Sequence, residues 1–200
     1  MSTRADPLEL RTALHELAAS QGGYFTAQQA LAVGYSYPAQ HYHANRGAWE
    51  RVDRGIYRVK GWPLPEHPEL IRWTLWSGGA GVVSHQSALS VHELGDFLPV
   101  VVHLTLPTTS RRKATGAEIH LADLPPADVE QHGGFRVTTP LRSLLDTAAV
   151  GVDIDQLATA IADALERGTV ATGELRRRSD QFGATPALAI ERALAEVERR

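Results

Sequence analysis

Apolar positions recur at helical spacing near the start of the chain. Leu8, Leu10, Leu14, Leu17 and Ala18 predict an amphipathic helix over 7–20, ended by Gln21-Gly22-Gly23. Tyr24-Phe25 reads as a short apolar link. Thr26 with Gln29 three residues on has the form of a capping box and opens a second helix through Val33, which Gly34 breaks. Ser36 caps a third helix that tolerates Pro38 in its first turn and stops at Gly47. From Trp49 to Val59 the period changes to two, predicting a hairpin around Asp53-Arg54-Gly55.

The Pro-rich stretch GWPLPEHP (61–68) is the expected domain boundary. Beyond it the pattern predicts a helix over 69–77, a Gly loop, a brief strand at Val82-Val83, and a helix capped by Ser84 that ends at Gly95. Strands over 100–107 and 117–124 follow, joined by the basic loop Arg111-Arg112-Lys113, and then a third strand over 134–138. Thr139-Pro140 opens a helix, and helices over 154–167, 172–180 and 186–199 complete the chain. The expected class is α+β. A winged helix-turn-helix over 1–62 precedes a mixed small-sheet and helix domain over 63–200 with a helical C-terminal tail.

Composition narrows the function classes. The 200 residues are 43% hydrophobic and 22% charged, as in an ordinary water-soluble domain, and contain no cysteine. Disulfides and thiolate zinc sites are therefore excluded, and a reducing cytoplasm fits. The charged N-terminus lacks the apolar core of a secretory signal, and no apolar run reaches the ~20 residues of a membrane span. The net charge is −3, yet residues 1–60 hold Arg4, Arg11, Arg46, Arg51, Arg54, Arg58 and Lys60 against only Asp6, Glu9, Glu16, Glu50 and Asp53. The basic bias sits in the segment that is patterned as a DNA reader.

In a winged helix-turn-helix the second helix of the motif displays side chains to base edges in the major groove, and arginines around it hold phosphates. The candidate DNA-binding residues are Ser36, Tyr37, Gln40, His41, His43, Asn45 and Arg46 on that helix, with Arg51, Arg54 and Arg58 on the hairpin. Gln and Asn suit bidentate adenine contact and Arg suits guanine. Trp49, Val52, Ile56 and Tyr57 are expected to pack the wing onto the helices.

No catalytic set emerges, and neither a metal nor a cofactor is expected. Adjacent Ser84 and His85 lack a GxSxG elbow, so a helix cap beside a packing histidine is the simpler reading. His85 and His92 share one helix face, and His103 and His120 each sit in mid-strand. A metal would need three or four of them to converge with a carboxylate such as Glu93 or Asp96, and satisfied or exposed histidines are the expectation. SGGAG (77–81) lacks the Gly-Lys-Ser/Thr ending of a phosphate loop. A nuclease core would need an acid followed by a Glu-x-Lys-like pair, and neither Lys60 nor Lys113 stands at that spacing. Arg176-Arg177-Arg178 reads as a solvated helix face.

GYFTAQQALAVG followed by RGAWERVDRGIYRV resembles the N-terminal winged domain of the AbiEi family, the antitoxin half of type IV toxin–antitoxin pairs. VSHQSALSVHELG, VHLTLP, VTTPLRSLLDTA and ALERGTVATGELRRR resemble the segments that follow it in actinobacterial AbiEi-like proteins. The resemblance implies a repressor of its own operon that binds inverted repeats in double-stranded DNA. It also implies a nucleotidyltransferase-like toxin encoded next door, neutralised through the C-terminal part with or without a stable complex. Recognition helices of the family are usually Arg-rich, whereas His41, Tyr42, His43 and Asn45 stand here, which points to weaker or more pH-dependent DNA binding. Two alternatives stay open: a protein-interaction module that holds a toxin directly, and a solitary winged-helix regulator.

Overall fold

The computed structural model describes residues 6–199. The chain is α+β and forms two compact units. The first comprises the described chain through Gly79 together with Gln131–Phe135, and the second comprises Ala80–Glu130 and Arg136 onward.

In the first unit, α1 (Pro7–Ala19) is opened by Asp6, whose carboxylate accepts from the Leu8 amide, and buries Leu14 and Ala18. The Gly22-Gly23 turn leads into β1 (Tyr24–Thr26). The sequence predicts only a link here, because three residues are too few to show alternation. Its carboxyl end becomes the cap of α2 (Ala27–Val33): Thr26 Oγ1 accepts from the Gln29 amide, and Gln29 Oε1 accepts from the Thr26 amide, closing the predicted capping box. Ser36 Oγ then accepts from the Ala39 amide at the start of α3 (Tyr37–Asn45), which carries Pro38 in its first turn.

The hairpin β2 (Trp49–Asp53) and β3 (Ile56–Val59) turns at Arg54-Gly55, where Gly55 takes φ +74°. Both of its neighbours pair with β3 antiparallel, in the order β1-β3-β2, with Phe25 opposite Tyr57 and Trp49 opposite Val59. Leu14, Ala18, Phe25, Ala30, Tyr35, Trp49 and Val59 form the core of this unit. The Phe25 ring meets the Trp49 ring edge-on at 4.9 Å and stacks on the Tyr57 ring at 5.8 Å. The Pro-rich segment continues within the unit into α4 (Pro68–Trp76), which buries Leu70, Ile71 and Leu75.

The second unit carries most of a five-stranded mixed sheet in the order β6-β5-β4-β8-β7, made of β4 (Val82–Val83), β5 (Val102–Leu106), β6 (Ala117–Leu121), β7 (Val129–His132) and β8 (Phe135–Thr138). β7 was not anticipated, since VEQH alternates no apolar residues. β5 and β6 run parallel, with His103 opposite Glu118 and Thr105 opposite His120. Helix α5 (His85–Val91) follows β4. The remaining helices are α6 (Pro140–Val150), α7 (Ile154–Glu166), α8 (Thr172–Phe182) and α9 (Ala184–Val197). Their apolar stripes meet in one core of Leu89, Leu144, Leu145, Leu157, Ile161, Leu175, Ile190 and Leu194, among others.

A buried charge network crosses this helical core. Asp128 accepts from Arg142 Nη1 at 3.1 Å and from Arg178 Nη2 at 2.8 Å, while Arg142 Nε donates to Asp146 at 2.8 Å. Arg178 is thus a structural ion-pair partner, a correction to the reading of residues 176–178 as one solvated face. Arg176 pairs with Glu191, and Arg177 lies 3.8 Å from Glu174. No helix among the described residues is long and apolar enough to cross a membrane.

Candidate nucleic-acid interface

Helix α3 divides its residues between two faces. Tyr37, His41 and Asn45 stand four apart and are exposed, and Pro38, Tyr42 and Arg46 form a second exposed row beside them. Tyr37 is 57% exposed and its hydroxyl accepts from Gln28 Nε2 at 3.3 Å. Asn45 Nδ2 donates to His41 Nε2 at 3.0 Å, so the two side chains hold each other on the surface. The Arg46 guanidinium lies over the Tyr42 ring at 5.5 Å, with Tyr42 56% exposed. Tyr42 is the member of this face that residue-type reasoning left out. The spacing of Tyr42 and Arg46, i and i+4, was the signal available.

The opposite face of α3 is structural. Gln40 is only 1% exposed, and its Nε2 donates to the carbonyls of Ala27 and Tyr35, both at 3.0 Å. The amide therefore ties α3 to the start of α2 and to the turn between them. A side chain so enclosed is not offered to a base edge, so the expectation that Gln40 reads bases is corrected. His43 is half-buried, stacks on Trp49 at 4.9 Å and meets Tyr35 edge-on. It fixes β2 against α3 and is likewise turned inward. Ser36 serves as the cap described above and is exposed.

On the hairpin, Arg51 and Arg54 are exposed, and among the described residues neither they nor Arg46 belongs to an ion pair. Arg54 occupies the turn, where Asp53 Oδ1 accepts from its amide at 2.6 Å and leaves the guanidinium outside. Arg58 behaves differently. Its side chain is only 11% exposed, pairs with Glu50 at 3.4 Å, donates to the Trp62 carbonyl and lies over the Tyr24 ring at 5.8 Å. It braces the sheet and has little guanidinium to offer a phosphate. Lys60, just past the hairpin, is exposed.

The geometry thus gathers Tyr37, His41, Tyr42, Asn45 and Arg46 on one helix face and leaves Arg51 and Arg54 exposed on the attached hairpin. A helix face with amide, imidazole and guanidinium groups can read base edges, and exposed guanidiniums on a ribbon can hold phosphates. Gln40, His43 and Arg58 support this surface from behind.

Residues 13–60 match the model of a family described as "Transcriptional regulator, AbiEi antitoxin", a span that runs from within α1 past the end of β3. No curated protein matches the chain. Among solved structures, the RV2827C protein from Mycobacterium tuberculosis is similar, with a TM-score of 0.55 at 14% identity over 99% of this chain and 83% of that one. At that identity the likeness is one of fold.

Proposed function

We propose that this chain, whose N-terminal domain is of the AbiEi antitoxin family of transcriptional regulators, is a sequence-specific DNA-binding repressor of its own operon. In this reading it is the antitoxin of a type IV pair and acts in the cytoplasm, where the operon lies. Residues 1–62 read the DNA, and residues 63–200 carry the antitoxin function toward a nucleotidyltransferase-like toxin. The mechanism is occlusion of a promoter and involves no catalytic step by the chain.

One observation supports this most. The exposed face of α3 and the exposed Arg51 and Arg54 of the hairpin belong to the segment that matches a transcriptional-regulator family. Asn45 and Arg46 are suited to base edges, with Tyr37, His41 and Tyr42 around them, while Arg51 and Arg54 supply phosphate contacts. An inverted repeat would be bound by two copies, each placing one α3 in a major groove, with half-sites about one helical turn apart or a multiple of it.

A mobility-shift titration of the purified full chain on its own upstream region tests the proposal, with an unrelated duplex of equal length as control. Retardation of the upstream fragment at concentrations that leave the control unshifted is the expected result. Equal affinity for both duplexes would remove the repressor reading, and no retardation of either would remove DNA binding altogether.

A further inference from the structure

The second unit brings together three histidines that no DNA-binding role uses. His85 opens α5, and His103 and His120 stand on the adjacent parallel strands β5 and β6. One ring nitrogen from each lies within 4.8 Å of the other two. His103 Nδ1 and His120 Nε2 are 3.0 Å apart, and the His85 ring stacks on the His120 ring at 3.6 Å. We propose that His85, His103 and His120 bind one late first-row divalent transition ion, Zn2+ foremost.

The distances suit that ion. With Zn–N bonds of about 2.0–2.1 Å, two nitrogens of a tetrahedral site sit about 3.3 Å apart. The His103–His120 pair therefore needs to open by only a few tenths of an ångström, and the third nitrogen has to close in by at most about 1.5 Å. Turning of the His103 and His120 side chains, with His85 held at Ser84, covers that distance. It is also required, because two stacked rings cannot both hold one ion in their planes. Three neutral imidazoles with no thiolate in the chain favour Zn2+ and its neighbours over Mg2+ or Ca2+, which take oxygen ligands. They leave a fourth position for water or an exogenous ligand.

The surroundings orient the rings as ligands need. Ser84 Oγ lies 2.9 Å from His85 Nδ1 and itself accepts from Thr105 Oγ1 at 2.7 Å. With Nδ1–H donating to Ser84, His85 presents Nε2 as the free ligand atom. Ser87 Oγ accepts from the His103 amide at 2.9 Å, so α5 also holds the backbone of the second ligand. His85 takes a positive φ of 53°, a conformation that side chains other than glycine rarely adopt and that places its ring over the two strands. A packing role alone would be met by apolar side chains at these positions. His103 and His120 instead bring two ring nitrogens to 3.0 Å of each other beside that of His85. A bound ion would fasten the edge strand β6 to α5. This inference is independent of the DNA-binding reading.

The test uses the full chain, stripped with a chelator and desalted, and titrated with Zn2+ by calorimetry and with Co2+ by visible absorption. One ion per chain and an intense tetrahedral-type Co2+ spectrum are expected. Unfolding temperature should rise by about 5–10 °C when Zn2+ is a hundredfold above its Kd. His103→Gln and His120→Gln should each weaken binding more than about tenfold, and Thr105→Val, which acts through Ser84, about tenfold. His15→Gln, outside the cluster, should bind as the parent does. Far-UV circular dichroism establishes that each variant is folded. The proposal is overturned if the parent shows no one-to-one binding and no thermal shift, or if folded His103 and His120 variants bind with unchanged affinity.

Discussion

Salt dependence is where the exposed and enclosed arginines of the first unit part company. Counterion release gives a slope of log affinity against log salt of about −0.9 for each phosphate neutralised on B-form DNA. Arg46, Arg51, Arg54 and Lys60 are exposed and outside any ion pair among the described residues, whereas Arg58 is held by Glu50 and the Trp62 carbonyl. If all four exposed cations reach phosphates, the slope is about −3.6 per copy, or about −7 for two copies on an inverted repeat. A fourfold rise in salt then weakens a single copy about 150-fold. Arg54→Ala should make the slope shallower by about 0.9 and lower affinity for every sequence alike. Arg58→Ala should leave the slope unchanged and lower the unfolding midpoint, since it removes a brace of the sheet. Fluorescence polarisation on a short duplex across a salt series measures both variants. A slope flatter than about −1, or an Arg58→Ala change as large as that of Arg54→Ala, would refute the assignment of the surface.

Three further outcomes are expected. Gln40→Ala should destabilise the first unit by about 2 kcal/mol, because one buried and one partly buried carbonyl lose their donor, and should weaken DNA binding evenly, whereas Asn45→Ala should relax preference at single bases at ~1–3 kcal/mol each. Urea unfolding with binding to single-base operator variants separates them, and a single-base effect of Gln40→Ala with intact stability would contradict its placement. Gly23→Ala should cost about 2 kcal/mol or more, since Gly23 holds φ +88° and an added Cβ would sit 2.4 Å from Trp62 Cγ; thermal unfolding at the parent's midpoint would count against that turn. Burial raises the Asp146 carboxyl to about 6 despite Arg142 beside it. A carboxyl with a folded pKa above its unfolded value binds more protons in the folded state, so its contribution to stability grows as pH falls from about 7 to about 4. Relative to Asp146→Asn, the parent should gain on the order of 3 kcal/mol across that window in denaturant titrations, and a constant difference would show that the carboxyl titrates normally.

Much of the first unit was legible because its signals are local. Thr26 and Gln29 close their capping box within four residues, Ser36 and Pro38 open α3 by the same logic, and Trp49 to Val59 alternates around a Gly turn. What escaped was short or non-local. β1 is three residues long and exists because β3 pairs with it, with Tyr24 opposite Arg58. β7 has polar side chains, and β5 and β6 lie parallel across an irregular connection, a register that no periodicity encodes. Arg178 looked like part of a solvated triplet because its partner, Asp128, lies fifty positions away.

The interface itself was misjudged by residue type more than by position. Gln40, His43 and Arg58 have the chemistry of DNA contacts, and the fold spends each of them on itself. For Gln40 and His43 the helix period carries the separation: Ala39, Gln40, His43 and Ala44 fall on the stripe that faces α2 and β2, while Tyr37, His41 and Asn45 fall on the outer one. Two alanines on a nine-residue helix mark the side that must approach a neighbour closely, and a polar residue between them serves the protein first. The histidines of the second unit show the opposite limit. His85 and His92 share a helix in sequence, yet His92 bonds the Thr138 carbonyl at 2.7 Å while His85 turns to His103 and His120. That grouping depends on a parallel strand pair and on one residue at positive φ, both products of the tertiary fold. A cluster of side chains drawn from three separate elements becomes visible only when those elements are in place.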